Sequence, residues 1–365
     1  MHTIEVRRDA ISRTRAVTEA EPRPADGQAV LRVERFSLSA NNVAYARLGD
    51  ELGYWRFFPA ADGWGRLPVW AYAEVTASSC EGVSVGRRLL GFLPMSDYLL
   101  VTPARVHPGG FAAGCQHRRD LPGLYNAYRW LDADPSYDPA LAGQQLVLRP
   151  SFWLSFLFDE HLRDNYDFGA GIAIISSASS KAALGIAHLL AGRPVVTIGL
   201  TAPQRVEPLR ALGVYDRVEA YEAAADLPAE PAIFADLAGD TGLRAAVHDR
   251  LGAALRYSAV LGATRGGALA SDDELPGPRP ELFFVPDQLR DRAHRQGFSA
   301  LDRRFAAALA DFATRSGPWL DLVTVTGAEA IQAAYRELLD GTLPAASALI
   351  CRMSPGQNAP EPARG

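Results

Sequence analysis

The stretch Ser176-Ser177-Ala178-Ser179-Ser180-Lys181 stands between an unbroken apolar run and a helix, and no other junction constrains the fold as tightly. Before it, Gly171 to Ser177 (GIAIISS) has the texture of a strand buried on both faces. After it, Ala182 to Leu190 places apolar residues at helical spacing, and Gly192-Arg193-Pro194 stops the helix. Val195 to Leu200 (VVTIGL) is a second buried strand, and Glu207 to Leu212 with Gly213 reads as a second helix with a glycine cap. Arg217 to Tyr221, Ala232 to Leu237 and Tyr257 to Gly262 are further strands, with a helix over Leu243 to Leu251. Strand and helix alternate at the length of βαβ units, so the expected class is α/β with a doubly wound parallel sheet.

The flanks differ in texture. Residues 1 to about 125 are mostly β: Val30 to Val33 and Val69 to Val75 are apolar or alternating, separated by turn signals such as Ala25-Asp26-Gly27 and Cys80-Glu81-Gly82. Asp132 to Gly143, rich in Asp, Pro and Ala, is expected to be a connecting loop. Beyond the βαβ region, Glu281 to Pro286 reads as an apolar strand whose open edge would pair two copies into a homodimer. Leu301 to Thr314 and Ala328 to Leu339 are amphipathic helices, and Ser347 to Cys351 is a last strand. The expected domains are 1–135, 136–290 and a returning segment 291–365, and 365 residues suffice for two cores.

Several function classes are disfavoured. The formal charge is −5 with acids and bases interspersed, so nothing favours a nucleic-acid partner. The longest apolar tract, Ser151 to Phe158, falls short of the roughly 18 residues of a membrane helix and ends in Asp159 and Glu160; Phe152 to Phe158 with Asp159 and His161 read as a helix core with a solvated end, the alternative being that they line the cleft between domains. Met1 to Asp9 lacks the apolar run of a signal peptide, so a soluble cytoplasmic protein is expected. Three scattered cysteines and seven scattered histidines supply neither a disulfide framework nor a zinc-ligand spacing, and no metal is expected.

A strand-to-helix turn of small residues lets main chain approach a pyrophosphate, and the following helix offers free N–H groups and a partial positive charge. Ser177, Ser179 and Ser180 can add hydroxyl contacts; the alternative is that they only cap the helix. An acid at the end of the second strand would bind the ribose 2′-hydroxyl of NAD. Here Thr201 and Arg205 follow Leu200 with no acid before Glu207, so together with Lys181 they suit the 2′-phosphate of NADP, unless Arg205 is simply solvated.

These residues carry a resemblance. Ser177 to Lys181 occupies the place of the small-residue turn in zinc-free quinone oxidoreductases of the medium-chain dehydrogenase/reductase superfamily. Ala211-Leu212-Gly213 and Val83-Ser84-Val85-Gly86-Arg87-Arg88-Leu89-Leu90-Gly91 are similar to segments of the same superfamily. Ser39-Ala40-Asn41-Asn42-Val43-Ala44-Tyr45-Ala46, Tyr54 to Pro59, Gly63-Trp64-Gly65-Arg66-Leu67-Pro68-Val69-Trp70 and Phe283 to Gln288 resemble its domain-of-unknown-function 2855 branch more closely. The resemblance implies a GroES-like, mostly-β catalytic domain followed by a Rossmann nucleotide-binding domain, with NADP(H) as cofactor. It places Ser177, Ala178, Ser179, Ser180, Lys181, Thr201, Arg205, Gly262, Ala263 and Thr264 at the cofactor, and Asn41, Asn42 and Tyr45 at the nicotinamide as catalytic candidates. Trp55, Phe57, Trp64 and Arg265 would form the substrate pocket.

For Asn41 and Asn42 the alternative is a turn capping local backbone, and for Tyr45 and the aromatic residues it is packing; Tyr125 and Tyr128 are further candidates. One departure stands out: Gly262-Ala263-Thr264-Arg265-Gly266-Gly267 replaces the Gly-x-Thr-His-Trp of related chains. The leading expectation is metal-free hydride transfer from NADPH to an enone or carbonyl of a small molecule, in a cleft between the domains. A non-redox enzyme on the same scaffold and a silent NADPH-binding regulator are the alternatives.

Overall fold

The computed structural model describes residues 1–262, 275–344 and 346–354. Two compact units divide the chain, one comprising Met1–Val147 with Leu320–Gly365 and the other Leu148–Trp319.

In the first unit, strands β1 (His2–Arg7), β2 (Ala10–Thr18) and β3 (Ala29–Leu38) precede helix α1 (Ala40–Arg47). There follow β4 (Trp64–Gly65), β5 (Pro68–Ser78), β6 (Arg88–Pro94), β7 (Tyr98–Val101), β8 (Pro103–His107) and β9 (Gly110–Ala113). Helix α2 (Gly123–Asn126) and β10 (Ala127–Trp130) lead to α3 (Ala142–Asp164). From the far end of the chain come β17 (Asp321–Thr326), α9 (Ala328–Asp340) and β18 (Ser347–Arg352). A nine-stranded sheet runs β17-β18-β3-β5-β6-β10-β9-β8, with β7 also on β3, beside a three-stranded sheet β2-β1-β4. Pairing is antiparallel except between β17 and β18. Apolar residues on the inner faces, among them Leu31, Phe36, Val69, Leu89, Trp130 and Tyr335, form one core. Each large side chain there contributes about 1.5–3 kcal/mol by leaving water. Trp55 joins that core by fitting against two glycines: a Cβ on Gly49 would lie 2.1 Å from its indole, and one on Gly65 2.3 Å.

The second unit is the βαβ region. Its elements are β11 (Ile172–Ile175), α4 (Lys181–Leu190), β12 (Val196–Thr201), α5 (Val206–Ala211), β13 (Arg217–Ala220), β14 (Ala232–Asp236), α6 (Thr241–Leu251) and β15 (Leu255–Val260), then β16 (Glu281–Leu282), α7 (Val285–Gln296) and α8 (Phe298–Arg315). All six strands are parallel, in the order β13-β12-β11-β14-β15-β16. This is the doubly wound order whose direction of winding reverses between the first and fourth strands, here β11 and β14.

Three expectations change. The strand over Glu281 to Pro286 is only two residues long, because Val285 and Pro286 begin α7 and proline suits a first helical turn. The units divide at 147 and 319 where the sequence suggested 135 and 290. Helix α3 runs across the first of these points, and α8 packs with α4 of the parallel sheet. Asp159 is not a solvated helix end: it is 3% exposed and ion-paired with Arg163 (2.7 Å) and Arg193.

Candidate functional site

The turn after β11 is built from its serines. Ser177 takes φ 52°, the left-handed conformation that glycine adopts at no steric cost. Ser180 is the N-cap of α4, its Oγ accepting from the Ala183 N–H at 3.3 Å. Capping thus engages Ser180. Ala178 is fully buried; its N–H donates to the Leu200 carbonyl (3.0 Å), and its carbonyl accepts from the Tyr215 hydroxyl (2.8 Å). It packs against Gly199 of β12, where a Cβ would lie 2.9 Å from the Ala178 Cβ. Lys181 opens α4, and burial lowers its ammonium below the ordinary range. A cation in the first turn of a helix adds to the positive end of the helix dipole, a setting that favours an anion.

Arg205, exposed just beyond β12, reaches back so that its Nη1 donates to Ser179 Oγ at 3.0 Å. Thr201 ends β12 and is buried. The carboxylate nearest in sequence, Glu207, is committed to Arg210 at 2.5 Å. The geometry therefore brings Ser179 and Arg205 together at the carboxyl end of β12. Gly262 lies just beyond β15, where a Cβ would sit 3.3 Å from the Leu237 carbonyl. Ala263, Thr264 and Arg265 lie outside the described residues.

In the first unit the candidates separate. Asn42 is tied into local structure: its Oδ1 accepts from the Ser39 N–H (2.8 Å) and its Nδ2 donates to the Pro68 carbonyl (3.0 Å). Each end of the amide is engaged, one in a capping box and the other on the first residue of β5, and the side chain is buried. Asn41 is exposed on α1. Tyr45 is half-buried, its ring stacked 4.4 Å from that of Tyr54 and edge-on to Phe92 at 5.7 Å. Burial, then the neighbouring Tyr125, raises its phenol well above the ordinary value, so it stays protonated and acts as a donor.

Trp55, 6% exposed, and Trp64, half-buried under the Arg15 guanidinium at 4.0 Å, line a cavity of about 340 Å³ with Arg8, Arg56, Asp62 and His117. Phe57 is not on that wall; it packs with Tyr54, Phe58, Phe92 and Leu121 in a second apolar cluster. Tyr125 edges this cluster, and Tyr128 is buried, its hydroxyl accepting from Arg118 at 3.1 Å.

Sequence reasoning missed the residues that tie the strand ends together. Ser176 donates to Asp236 across 60 positions (2.9 Å), and Asp236 accepts from Arg244 Nε (2.9 Å). The only hint is a charge at the end of an otherwise apolar strand. Among the described residues no group of three or more His, Cys, Asp or Glu side chains is placed to hold a metal ion, and no helix is long and apolar enough to cross a membrane.

Among curated proteins none matches the sequence. Solved structures share the fold. CurA from Vibrio vulnificus in complex with NADPH aligns with TM-score 0.58 at 13% identity, over 98% of this chain and 100% of that one. The yhdH oxidoreductase from Salmonella enterica in complex with NADP gives TM-score 0.58 at 13% identity, covering 97% and 100%. A putative NADPH:quinone reductase from Mesorhizobium loti gives TM-score 0.59 at 13% identity, covering 93% and 90%. Residues 36–344 match the model of the family described as a protein of unknown function, DUF2855, and the chain belongs to that family.

Proposed function

We propose that the protein is a soluble, cytoplasmic, zinc-independent reductase that uses NADPH to reduce an enone or carbonyl of a small organic substrate, working as a homodimer. The observation that carries the cofactor choice is the Arg205–Ser179 contact beside the acid-free end of β12. The turn of Ser177, Ala178, Ser179 and Ser180 would hold the pyrophosphate, Lys181, Thr201 and Arg205 the 2′-phosphate, and the segment Gly262, Ala263 and Thr264 the nicotinamide end. NADPH and NADP in the similarly folded structures support the same reading. The bound nucleotide would supply a hydride to the electrophilic carbon. Tyr45, kept protonated by burial, would donate a hydrogen bond to the substrate oxygen as that atom gains charge.

Titrating the protein with NADPH and NADH, and following nicotinamide absorbance with a panel of enones, tests this reading. NADPH should bind more tightly than NADH. Arg205→Ala should weaken NADPH by about tenfold, the scale of one charge-assisted contact, and leave NADH nearly unchanged. Equal losses for the two nucleotides would sink the 2′-phosphate assignment. Binding without consumption by any acceptor would favour a non-redox enzyme or a silent regulator on the same scaffold.

A further inference from the structure

The carboxyl ends of β11 and β14 are joined by side chains that solvent does not reach. Ser176 follows β11 and Asp236 closes β14, at 0% and 1% exposure. Ser176 Oγ donates to Asp236 Oδ1 at 2.9 Å and accepts from the N–H groups of Leu237 (2.9 Å) and Ala238 (3.0 Å). Asp236 Oδ1 also accepts from the N–H groups of Ala238 (3.1 Å) and Gly239 (3.0 Å). Two side chains thus take three consecutive amides. On the other carboxylate oxygen, Arg244 Nε donates at 2.9 Å and Nη2 lies at 2.8 Å. Arg244, on α6, is completely buried, and its Nη1 has no hydrogen-bond partner among the described residues.

Such a pair is a poor way to make a protein stable. Removing two charges from water costs about as much as their attraction returns, and an orphaned N–H adds to the cost. What the pair does achieve is a defined path for the loop after β14, which passes through left-handed Gly239 (φ 64°) to Asp240, the N-cap of α6. The same network reaches two more loops. Ser176 immediately precedes the left-handed Ser177, and the Asp236 carbonyl accepts from Leu261 N–H (2.8 Å) at the end of β15. The loops after β11 and β14 leave the carboxyl edge of the sheet at the reversal between those two strands, where nucleotides lie across doubly wound sheets.

The geometry points to Arg244 as a positioning residue for the nucleotide: with Asp236 and Ser176 it presets the loops after β11 and β14 in their binding conformation. This rests on the nucleotide-binding reading above. Affinity is gained when a loop need not be ordered on binding, so a residue under the site sets it without touching the ligand.

The test uses the full chain with Arg244→Met, Arg244→Lys and Ser176→Ala, each measured well below its melting temperature. Hydrogen exchange at the amides of Leu237, Ala238 and Gly239 reports the loop, and titration with NADPH reports the site. Arg244→Met should speed exchange at those amides and weaken NADPH about tenfold, or about 1.4 kcal/mol. Arg244→Lys, which keeps a charge beside Asp236, should recover most of that loss, whereas a role in packing alone would let methionine do as well as lysine. Should Arg244→Met not fold, Ser176→Ala carries the same measurement, with a loss of about fivefold, the scale of one hydrogen bond. A folded variant with faster loop exchange and unchanged NADPH affinity overturns the inference. Absence of NADPH binding by the unsubstituted protein sinks the nucleotide reading instead, so the two failures are distinct.

Discussion

At the scale of single residues, the first unit depends on atoms that are absent. Trp55 lies between Gly49 and Gly65, and a methyl group on either would fall inside the indole. Gly65→Ala should therefore cost about 1–3 kcal/mol, the range of an overpacked core. Gly123→Ala, where a Cβ meets nothing within 4 Å, should stay within about 0.5 kcal/mol of the parent. Urea unfolding of the two variants decides the matter; equal midpoints would contradict the packing account. The same scale explains why sequence alone leaves Asn42 open. An amide that caps a helix and one that orients a substrate are spelled alike, and only the Pro68 carbonyl, 26 positions away, separates them.

At the scale of elements, the parallel sheet was legible because each strand is a short apolar run closed by its own helix. The serine turn was legible because capping and phosphate binding both need small polar residues beside each other. Links across long separations were not. Nothing near Ser176 announces Asp236, and nothing near Asp236 announces that its partner is a buried arginine on the next helix. Edge strand β16 shows a different failure: apolar residues from Glu281 to Pro286 suggest a long strand, yet a proline in the first turn of α7 ends it early. Its outward face still carries Leu282 (55% exposed), with Phe284 (42% exposed) just beyond it. If this edge pairs two copies, the protein will sediment at twice the 39.3 kDa of the chain. Leu282→Lys should return it to the single-chain mass, since charge on an edge opposes pairing. A wild-type mass of one chain at micromolar concentration excludes the dimer.

At the scale of the molecule, titration divides the two units. His161, His188 and His248 all belong to the second unit, and burial lowers each below the ordinary value of 6.5. The His248 Nδ1 faces the Pro276 carbonyl, which can only accept, so the proton sits there and Nε2 is left to accept from Ser258. A lowered histidine binds protons less readily folded than unfolded, so its contribution is complete above 6.5 and falls as pH drops below that value. Calorimetry from pH 8 to pH 5 should show the second unit's transition moving to lower temperature with onset near 6.5. A transition independent of pH over that interval would contradict the burial of these imidazoles.

The placement of β18 has a consequence for how the chain is made. In the sheet of the first unit β18 lies between β17 and β3, so Leu38 waits for Leu349. During synthesis β7 covers Ala29–Arg32 on that side of β3, but the end at Phe36–Leu38 that receives β18 stays open until β18 emerges, while the second unit, continuous in sequence, already has all its strands. Pairings this distant in sequence are slow to form, and an unpaired edge invites association with other chains in the interval. The unit begun first on the ribosome is therefore the unit finished last, and it is the one most in need of protection as a nascent chain.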